Sequence, residues 1–141
     1  MPEPTRVLVV ASRTADSDEL HDALLARHAE GAISVTLLAP ATWEVGDAHG
    51  GRSSALRRIN LARERLRDTG LQIEGLVGDA DPVAAVEAIW DPDRFDEVIV
   101  ATLPAQLSRW LRLDLPRRVE RLTGRPVRHV VAHERPAGHE V

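Results

Sequence analysis

The chain has 141 residues, a formal net charge of −4 and no cysteine. This length suits one ordinary domain, so we expect a single domain over residues 1–141, with frayed ends at 1–5 and 134–141. The lack of cysteine excludes disulfides and thiolate metal sites, and no apolar run reaches the roughly 20 residues that span a membrane. We therefore expect a cytoplasmic protein with no membrane partner.

The basic residues narrow the chemistry further. All 18 are arginines, which excludes a phosphate-binding P-loop and Schiff-base catalysis, because both require a lysine. The negative net charge argues against duplex nucleic acid as a partner, since such binding depends on a strongly basic face. Seven arginines nevertheless fall within residues 105–128, beside only Asp114 and Glu120. This tract is therefore a candidate to contact a small anionic ligand.

Strand and helix patterns alternate along the whole chain. Continuous apolar runs, typical of strands buried on both faces, are separated by segments with apolar residues at helical spacing. The predicted strands cover residues 6–11, 33–39, 71–77, 96–101 and 126–132. The predicted helices follow Asp16 or Ser17 and begin at Ser53, Pro82 and Leu115, and Asp81 is the predicted N-cap before Pro82.

Two connections are predicted to be irregular. Residues 41–52 contain three glycines and no sustained period, which indicates a mobile loop. Within it, His49 could titrate or bind a metal, although a lone loop histidine is more often solvated. Residues 102–113 indicate a second loop or irregular turn.

Five strands that alternate with four helices predict an α/β fold, a doubly wound five-stranded parallel sheet with helices on both faces. In such folds, ligands bind beyond the carboxyl ends of the strands, where the strand order reverses. We therefore expect the site among residues 11–16, 40–52, 78–81 and 101–115.

The segment from Asp96 to Val127 resembles the universal stress protein family, and the order of elements agrees along nearly the whole chain. Nucleotide-binding members of that family carry Gly-x2-Gly-x9-Gly-Ser/Thr after strand four. The same spacing here falls on Ala101, Pro104, Asp114 and Leu115, so the spacing is kept and the residues are not. The resemblance implies the fold and a homodimer formed through the last strand, residues 126–132.

The resemblance does not imply ATP binding. Glycines let backbone N–H groups approach a triphosphate, whereas Pro104 has no N–H to donate. Asp114 would cap the last helix itself and repel phosphate, and Leu115 has no hydroxyl. At the end of strand one, where ATP binders of the family usually present an aspartate, this chain has Ala11 and Ser12.

Arginines and an aromatic residue after strand four form the most distinctive candidate site. Arg109 and Arg112 could hold a phosphate or carboxylate while Trp110 stacks on a ring. The alternative is that Trp110 and Leu113 pack on the sheet and the arginines are solvated. Polar residues at the strand ends complete the candidate set, namely Ser12, Arg13, Thr14, Gly78, Asp79, Thr102 and Ser108.

Two further pairs have a simple and a functional interpretation. Asp79 and Asp81 could bind Mg²⁺ or act as acid and base, but helix capping explains Asp81 more simply. His129 and His133 lie four apart on the last predicted strand and would share one sheet face, which could make dimerisation pH-sensitive.

These patterns predict a universal-stress-like protein that binds a small ligand or regulates partners and is not an enzyme. No catalytic residue and no metal site are predicted, and ATP or another nucleotide is a possible but unsupported ligand. Two alternatives stay open. One is a divergent phosphoryl- or adenylyl-handling enzyme that uses Arg109, Arg112 and a metal at Asp79 or Asp81. The other is an interaction module whose ligand site is dead.

Overall fold

The computed structural model describes residues 3–41 and 51–134. Within them, parallel strands form one five-stranded sheet in the order β3-β2-β1-β4-β5. The strands are β1 (Thr5–Val10), β2 (Ile33–Pro40), β3 (Gln72–Gly78), β4 (Glu97–Thr102) and β5 (Val127–Val131). The helices are α1 (Asp18–Glu30), α2 (Gly51–Leu66, extended by a 3-10 turn, Arg67–Thr69), α3 (Pro82–Ile89), α4 (Arg109–Arg112) and α5 (Leu115–Thr123). The predicted doubly wound α/β fold is confirmed.

The central strand β1 explains why the sheet is covered on both faces. Val7 to Val10 are all 0% exposed, as expected for a strand with apolar side chains on both sides. Val7 and Val9 belong to the core beneath α1 and α2, while Leu8 and Val10 belong to the core beneath α3 and α5. Helices therefore lie on both faces of the sheet.

Capping residues fix where two helices begin. The Ser17 hydroxyl accepts a hydrogen bond from the Leu20 amide at 3.2 Å, and the Asp81 carboxylate accepts one from the Val83 amide at 3.0 Å. Each satisfies one of the free amides of a first helical turn. The predicted N-caps at Ser17 and Asp81 are confirmed.

The crossover from β3 to β4 determines where the site lies. The chain adds β2 and β3 on one side of β1, then crosses back to place β4 and β5 on the other side. The connections that leave the carboxyl ends of β1 and β4 therefore diverge toward opposite faces, which opens a crevice between them.

Several predictions at element ends were wrong. Thr5 is part of β1 and Glu134 is ion-paired, so the fraying predicted for 1–5 and 134–141 fails at these two residues. Gly51 and Arg52 begin α2, and the rest of the predicted loop, 42–50 with His49, lies outside the described residues. The irregular stretch 102–113 contains the short helix α4.

Asp114 does not cap α5. Its backbone has φ 56° and ψ 43°, in the left-handed region, and its side chain accepts no capping hydrogen bond. An N-cap side chain reaches the first-turn amides from an extended backbone, and the abrupt turn from α4 into α5 precludes that conformation here. The carboxylate instead lies 3.9 Å from the Arg117 guanidinium.

His129 and His133 do not share a sheet face. His129 lies within β5, and its ring nitrogen is 2.7 Å from the Thr102 hydroxyl. His133 lies beyond the end of β5, and its Nδ1 is 2.7 Å from a Glu19 carboxylate oxygen on α1. The alternation of a strand stops at Val131, so the spacing of four no longer determines the face.

Candidate functional site

A cleft of about 780 Å³ opens at the carboxyl ends of β1 and β4. The β1–α1 connection, the start of α3, the end of β4, the segment around α4 and one residue of α5 line it. Nine of the candidate residues line this cleft, namely Ser12, Arg13, Thr14, Asp81, Ala101, Thr102, Ser108, Arg109 and Trp110. The position of the cleft agrees with the crevice rule for doubly wound sheets.

The β1–α1 connection is tied to the end of β4. The Thr14 hydroxyl donates a hydrogen bond to the Ala101 carbonyl at 3.1 Å, and Thr14 is only 2% exposed. The Ala15 amide donates to the Ser12 carbonyl at 3.1 Å, which makes the connection a tight turn. This part of the cleft is therefore held rigidly, and the Thr14 hydroxyl is already used.

Thr102 places a hydroxyl at the floor of the cleft. It ends β4 and is 2% exposed. Its Oγ1 lies 2.7 Å from Nε2 of His129 on the neighbouring strand. His129 is exposed as a whole, but partial desolvation of its imidazole lowers its pKa below the ordinary value, because desolvation disfavours the charged ring.

The segment around α4 provides an aromatic side chain and an apolar rim. Trp110 is half-buried, packs against the core beneath α3 and α5, and also lines the cleft. Leu107 and Leu113 line the cleft as well and are 64% and 51% exposed. Trp110 therefore packs on the core, as the alternative predicted, while its stacking on a ligand ring stays a prediction. Leu113 is exposed and is not among the side chains packed on this core, contrary to the alternative.

Two arginines bring uncompensated positive charge to the cleft. Arg109 on α4 and Arg118 on α5 are exposed and line it. Across residues 3–41 and 51–134, no hydrogen bond or ion pair engages either guanidinium. A guanidinium carries five N–H donors in a planar fork suited to phosphate or carboxylate. These two are available to a ligand.

The acidic residues near the cleft are occupied by local structure. Asp79 accepts a hydrogen bond from the Asp81 amide at 2.9 Å, and Asp81 caps α3. Among the described residues, no group of three histidine, aspartate or glutamate side chains is arranged to hold a metal ion. This arrangement favours the capping interpretation of the aspartates.

The Glu134 carboxylate binds two arginines, one of which, Arg13, lines the cleft. Its carboxylate accepts hydrogen bonds at 2.8 Å from Arg13 and at 2.8 Å from Arg58. Arg58 also donates to the Arg13 carbonyl at 3.1 Å. Burial raises the pKa of Glu134, but the hydrogen bonds from Arg13 and Arg58 lower it by more, so the carboxyl is held below its ordinary pKa.

The other predicted site residues lie outside the cleft lining. Ala11 and Leu115 are core residues, and Gly78 is packed where an added Cβ would lie 2.8 Å from Ala85. Asp79 and Pro104 serve turns, where the Pro104 carbonyl accepts from the Leu107 amide at 2.8 Å. The lining does not include Arg112 or Asp114.

Sequence reasoning missed Arg118 and the apolar rim. Arg118 lies between the buried Leu115 and Val119 in sequence, so its position at the cleft follows only from the rotation of α5 about its axis. Nothing in the local pattern distinguishes it from Arg117. Leu107 and Leu113 carry a clearer signal, because exposed leucines next to a predicted site are candidates for ligand contact.

The described residues contain no helix that is both long and apolar enough to cross a membrane.

Three solved structures resemble the chain over most of its length. A universal stress protein in complex with cAMP is 18% identical, with a TM-score of 0.61 over 92% of this chain and 98% of its own. A universal stress protein from Archaeoglobus fulgidus is 12% identical, with a TM-score of 0.63 over 89% and 93%. A universal stress protein family protein from Arabidopsis thaliana with AMP bound is 14% identical, with a TM-score of 0.65 over 96% and 97%.

No family model and no curated protein sequence matches the chain. At identities of 12% to 18%, the likeness to the solved structures establishes the architecture and not the ligand. The chain has the fold of the universal stress proteins.

Proposed function

We propose that the cleft binds a small ligand with a ring and one compact anionic group, of the nucleoside monophosphate or cyclic nucleotide class, and that the protein acts by binding rather than catalysis. The observation that carries this proposal is the pair Arg109 and Arg118, which line the cleft and have no side-chain partner within the described ranges. Guanidinium groups left free at a concave surface are suited to a phosphate or carboxylate.

Several backbone groups around the described part of the cleft that could cradle a longer phosphate chain are occupied or lack an N–H. The first turn of α3 is capped by Asp81, and the Ser108 hydroxyl accepts from the Leu111 amide at 3.1 Å. Pro104 offers no N–H at all. Two arginines can hold one phosphate group, but a triphosphate needs more donors than these supply. The proposal therefore favours a monophosphate over ATP.

The apolar part of the cleft suits the ring of such a ligand. Trp110, Leu107 and Leu113 supply aromatic and aliphatic surface beside the arginines. Ligand sites commonly combine an apolar lining with a few polar groups that fix orientation. The AMP and cAMP bound to two proteins of the same fold belong to the chemical class proposed here.

A binding role is favoured over the phosphoryl-transfer alternative by how the acidic side chains are used. That alternative needs Asp79 or Asp81 to hold a metal, yet both side-chain carboxylates accept backbone amides in a turn and a helix cap. A cytoplasmic location and a role in a stress response stay predictions.

Calorimetry of the purified chain with AMP, cAMP, ATP and adenosine tests this proposal. We expect AMP and cAMP to bind, ATP to bind no more tightly than AMP, and adenosine to bind more weakly. A hydrogen bond to a charged group contributes about 1.5–3 kcal/mol, so Arg109→Ala and Arg118→Ala should each weaken AMP binding by about tenfold or more. Arg112→Ala is the matched control, because Arg112 lies on α4 outside the cleft lining.

Two results would contradict the proposal. Binding that Arg112→Ala weakens as much as Arg109→Ala would place the anion elsewhere. If none of the four ligands binds, the cleft is not a nucleotide site, and the interaction-module alternative becomes the better interpretation.

A further inference from the structure

The Thr102 hydroxyl lies between the cleft and the imidazole of His129. Thr102 lines the cleft, and the Oγ1 to Nε2 distance is 2.7 Å. The register of β4 and β5 pairs Val100 with His129 and Thr102 with Val131, so His129 and Thr102 are diagonal neighbours on one sheet face. A single hydrogen bond therefore connects the edge strand to the ligand site.

The protonation state of His129 determines what Thr102 can offer to the cleft. A hydroxyl has one hydrogen to donate, and a neutral imidazole accepts it at Nε2 in the tautomer that carries its proton on Nδ1. An imidazolium can only donate, so Thr102 must then accept from His129, and its own hydrogen becomes available to a ligand. Protonation also places a positive charge 2.7 Å behind the cleft-lining oxygen. Both changes favour an anion.

No charged side chain is engaged with His129 to offset this effect. Desolvation is the cause that lowers the pKa of His129. The ring is therefore neutral at neutral pH and becomes charged only at a pH below the ordinary pKa of histidine. In the described part of the chain, its imidazole forms no hydrogen bond or ion pair with a charged group on the elements that pack against β5. The elements that pack against β5 are β4, α5 and α1. Besides Arg128 on β5 itself, their charged or titratable residues are Glu97 on β4, Arg117, Arg118, Glu120 and Arg121 on α5, and Asp18, Glu19, His21, Asp22, Arg27, His28 and Glu30 on α1.

Other titratable groups near β5 already have partners. Glu97 pairs with Arg27 at 2.8 Å, Glu19 pairs with His133, and Glu120 accepts from the Val127 amide at 3.1 Å. Of the described groups near β5 that are named here, His129 contacts a cleft-lining side chain through Thr102, and protonating it breaks no ion pair.

We propose that His129 is a positioning residue which couples anion binding in the cleft to proton uptake, so that a phosphate ester binds more tightly when the imidazole behind Thr102 is charged. This inference rests on the proposed function and adds that pH regulates ligand binding in the cleft. Linkage is reciprocal, so a bound phosphate ester must raise the pKa of His129 by the same factor.

The test measures the affinity of cAMP by calorimetry at pH 5 and pH 8. A phosphodiester keeps one negative charge across this range, so a change in affinity reports the protein. We expect the wild-type chain to bind cAMP about fivefold more tightly at pH 5. His129→Gln, which keeps a hydrogen-bonding side chain without a titratable ring, should show the same affinity at both pH values.

His133→Gln is the matched control. It removes a histidine four residues further along that contacts Glu19 and does not line the cleft, so its pH dependence should equal that of the wild type. A second measurement needs no variant. The NMR titration of the His129 ring in the wild-type chain should move to higher pH when cAMP is present.

The outcomes separate this inference from the proposed function. If cAMP binds equally at both pH values, or if His129→Gln keeps the wild-type pH dependence, the coupling is wrong and the binding site stands. If cAMP does not change the titration of His129 in the wild-type chain, the coupling is also wrong. This result does not depend on whether the His129→Gln variant folds. If cAMP fails to bind at both pH values, the proposed function fails and the coupling fails with it.

Discussion

One carboxylate after the last strand joins parts of the chain that are far apart in sequence. Glu134 pairs with Arg58, 76 residues earlier, and with Arg13, 121 residues earlier. Arg58 is buried in spite of its charge. Such a pair leaves no trace in local periodicity, because nothing near either residue indicates the other. The sequence could not have predicted it.

Glu134→Gln should destabilise the fold in a pH-dependent way. The folded pKa of Glu134 lies below its ordinary value, so the ionised carboxylate stabilises the fold above that ordinary value. This contribution is lost as the pH falls through the folded pKa. At pH 7, we expect urea unfolding to show that Glu134→Gln lowers the free energy of unfolding by about 1–2 kcal/mol. This value lies between the contributions of exposed and of buried ion pairs.

The loss should shrink as the pH falls below the ordinary pKa of a glutamate. Glu64→Gln is the control, because Glu64 pairs with Arg67 on an exposed helix surface with both side chains more than 60% exposed, and we expect almost no change. Equal losses for the two variants, or a loss that does not depend on pH, would show that the Glu134 ion pairs do not stabilise the fold.

At the scale of elements, local patterns predicted the strands and most helix starts well. The reason is physical: the inner strands are buried on both faces, and Ser17 and Asp81 satisfy free amides within three residues. The connection between α4 and α5 was not predictable in the same way. Aspartate is a preferred N-cap residue, so Asp114 was predicted to cap α5. The turn into α5 instead requires a left-handed backbone at this position, which aspartate tolerates better than most residues.

The contact between α2 and β3 depends on a glycine within the strand. A Cβ added at Gly75 would clash with the Ile59 side chain on α2. We therefore expect Gly75→Ala to cost about 1–3 kcal/mol through overpacking, measured by thermal or urea unfolding. Gly31→Ala is the control, because there an added Cβ would lie 3.9 Å from its nearest neighbour, a guanidinium nitrogen of Arg27. A fully stable Gly75→Ala chain would mean that α2 can move away from the sheet at little cost.

At the scale of the whole molecule, topology located the cleft and side-chain packing decided its lining. The crevice rule needs the strand order, whereas the alternation of strands and helices predicted only the fold class; the order itself comes from the structure. Which arginines reach the cleft depends on how α4 and α5 are rotated, and Arg109 and Arg112 are indistinguishable before that is known. The sequence therefore indicated the place and the charge of the site, but only part of its residues.

The edge of the sheet leads to the last prediction, a homodimer through β5. Among the strands that the structure describes, β5 pairs with β4 alone, and an edge strand of this kind can pair with a second chain. Val131, near the carboxyl end of this edge, is 48% exposed. We expect sedimentation to show a dimer at micromolar concentration and Val131→Lys to raise its dissociation constant by about tenfold or more, since lysine protects edge strands from pairing.

Leu61→Lys provides the comparison, because Leu61 is 42% exposed on α2, a helix that packs on β2 and β3. Its replacement should leave the dimer unchanged. A wild-type monomer, or an equal effect of the two lysines, would refute pairing through β5. A dimer that Val131→Lys alone dissociates would place His129 beside the subunit interface, so proton uptake at the cleft and assembly of the two chains would involve the same strand.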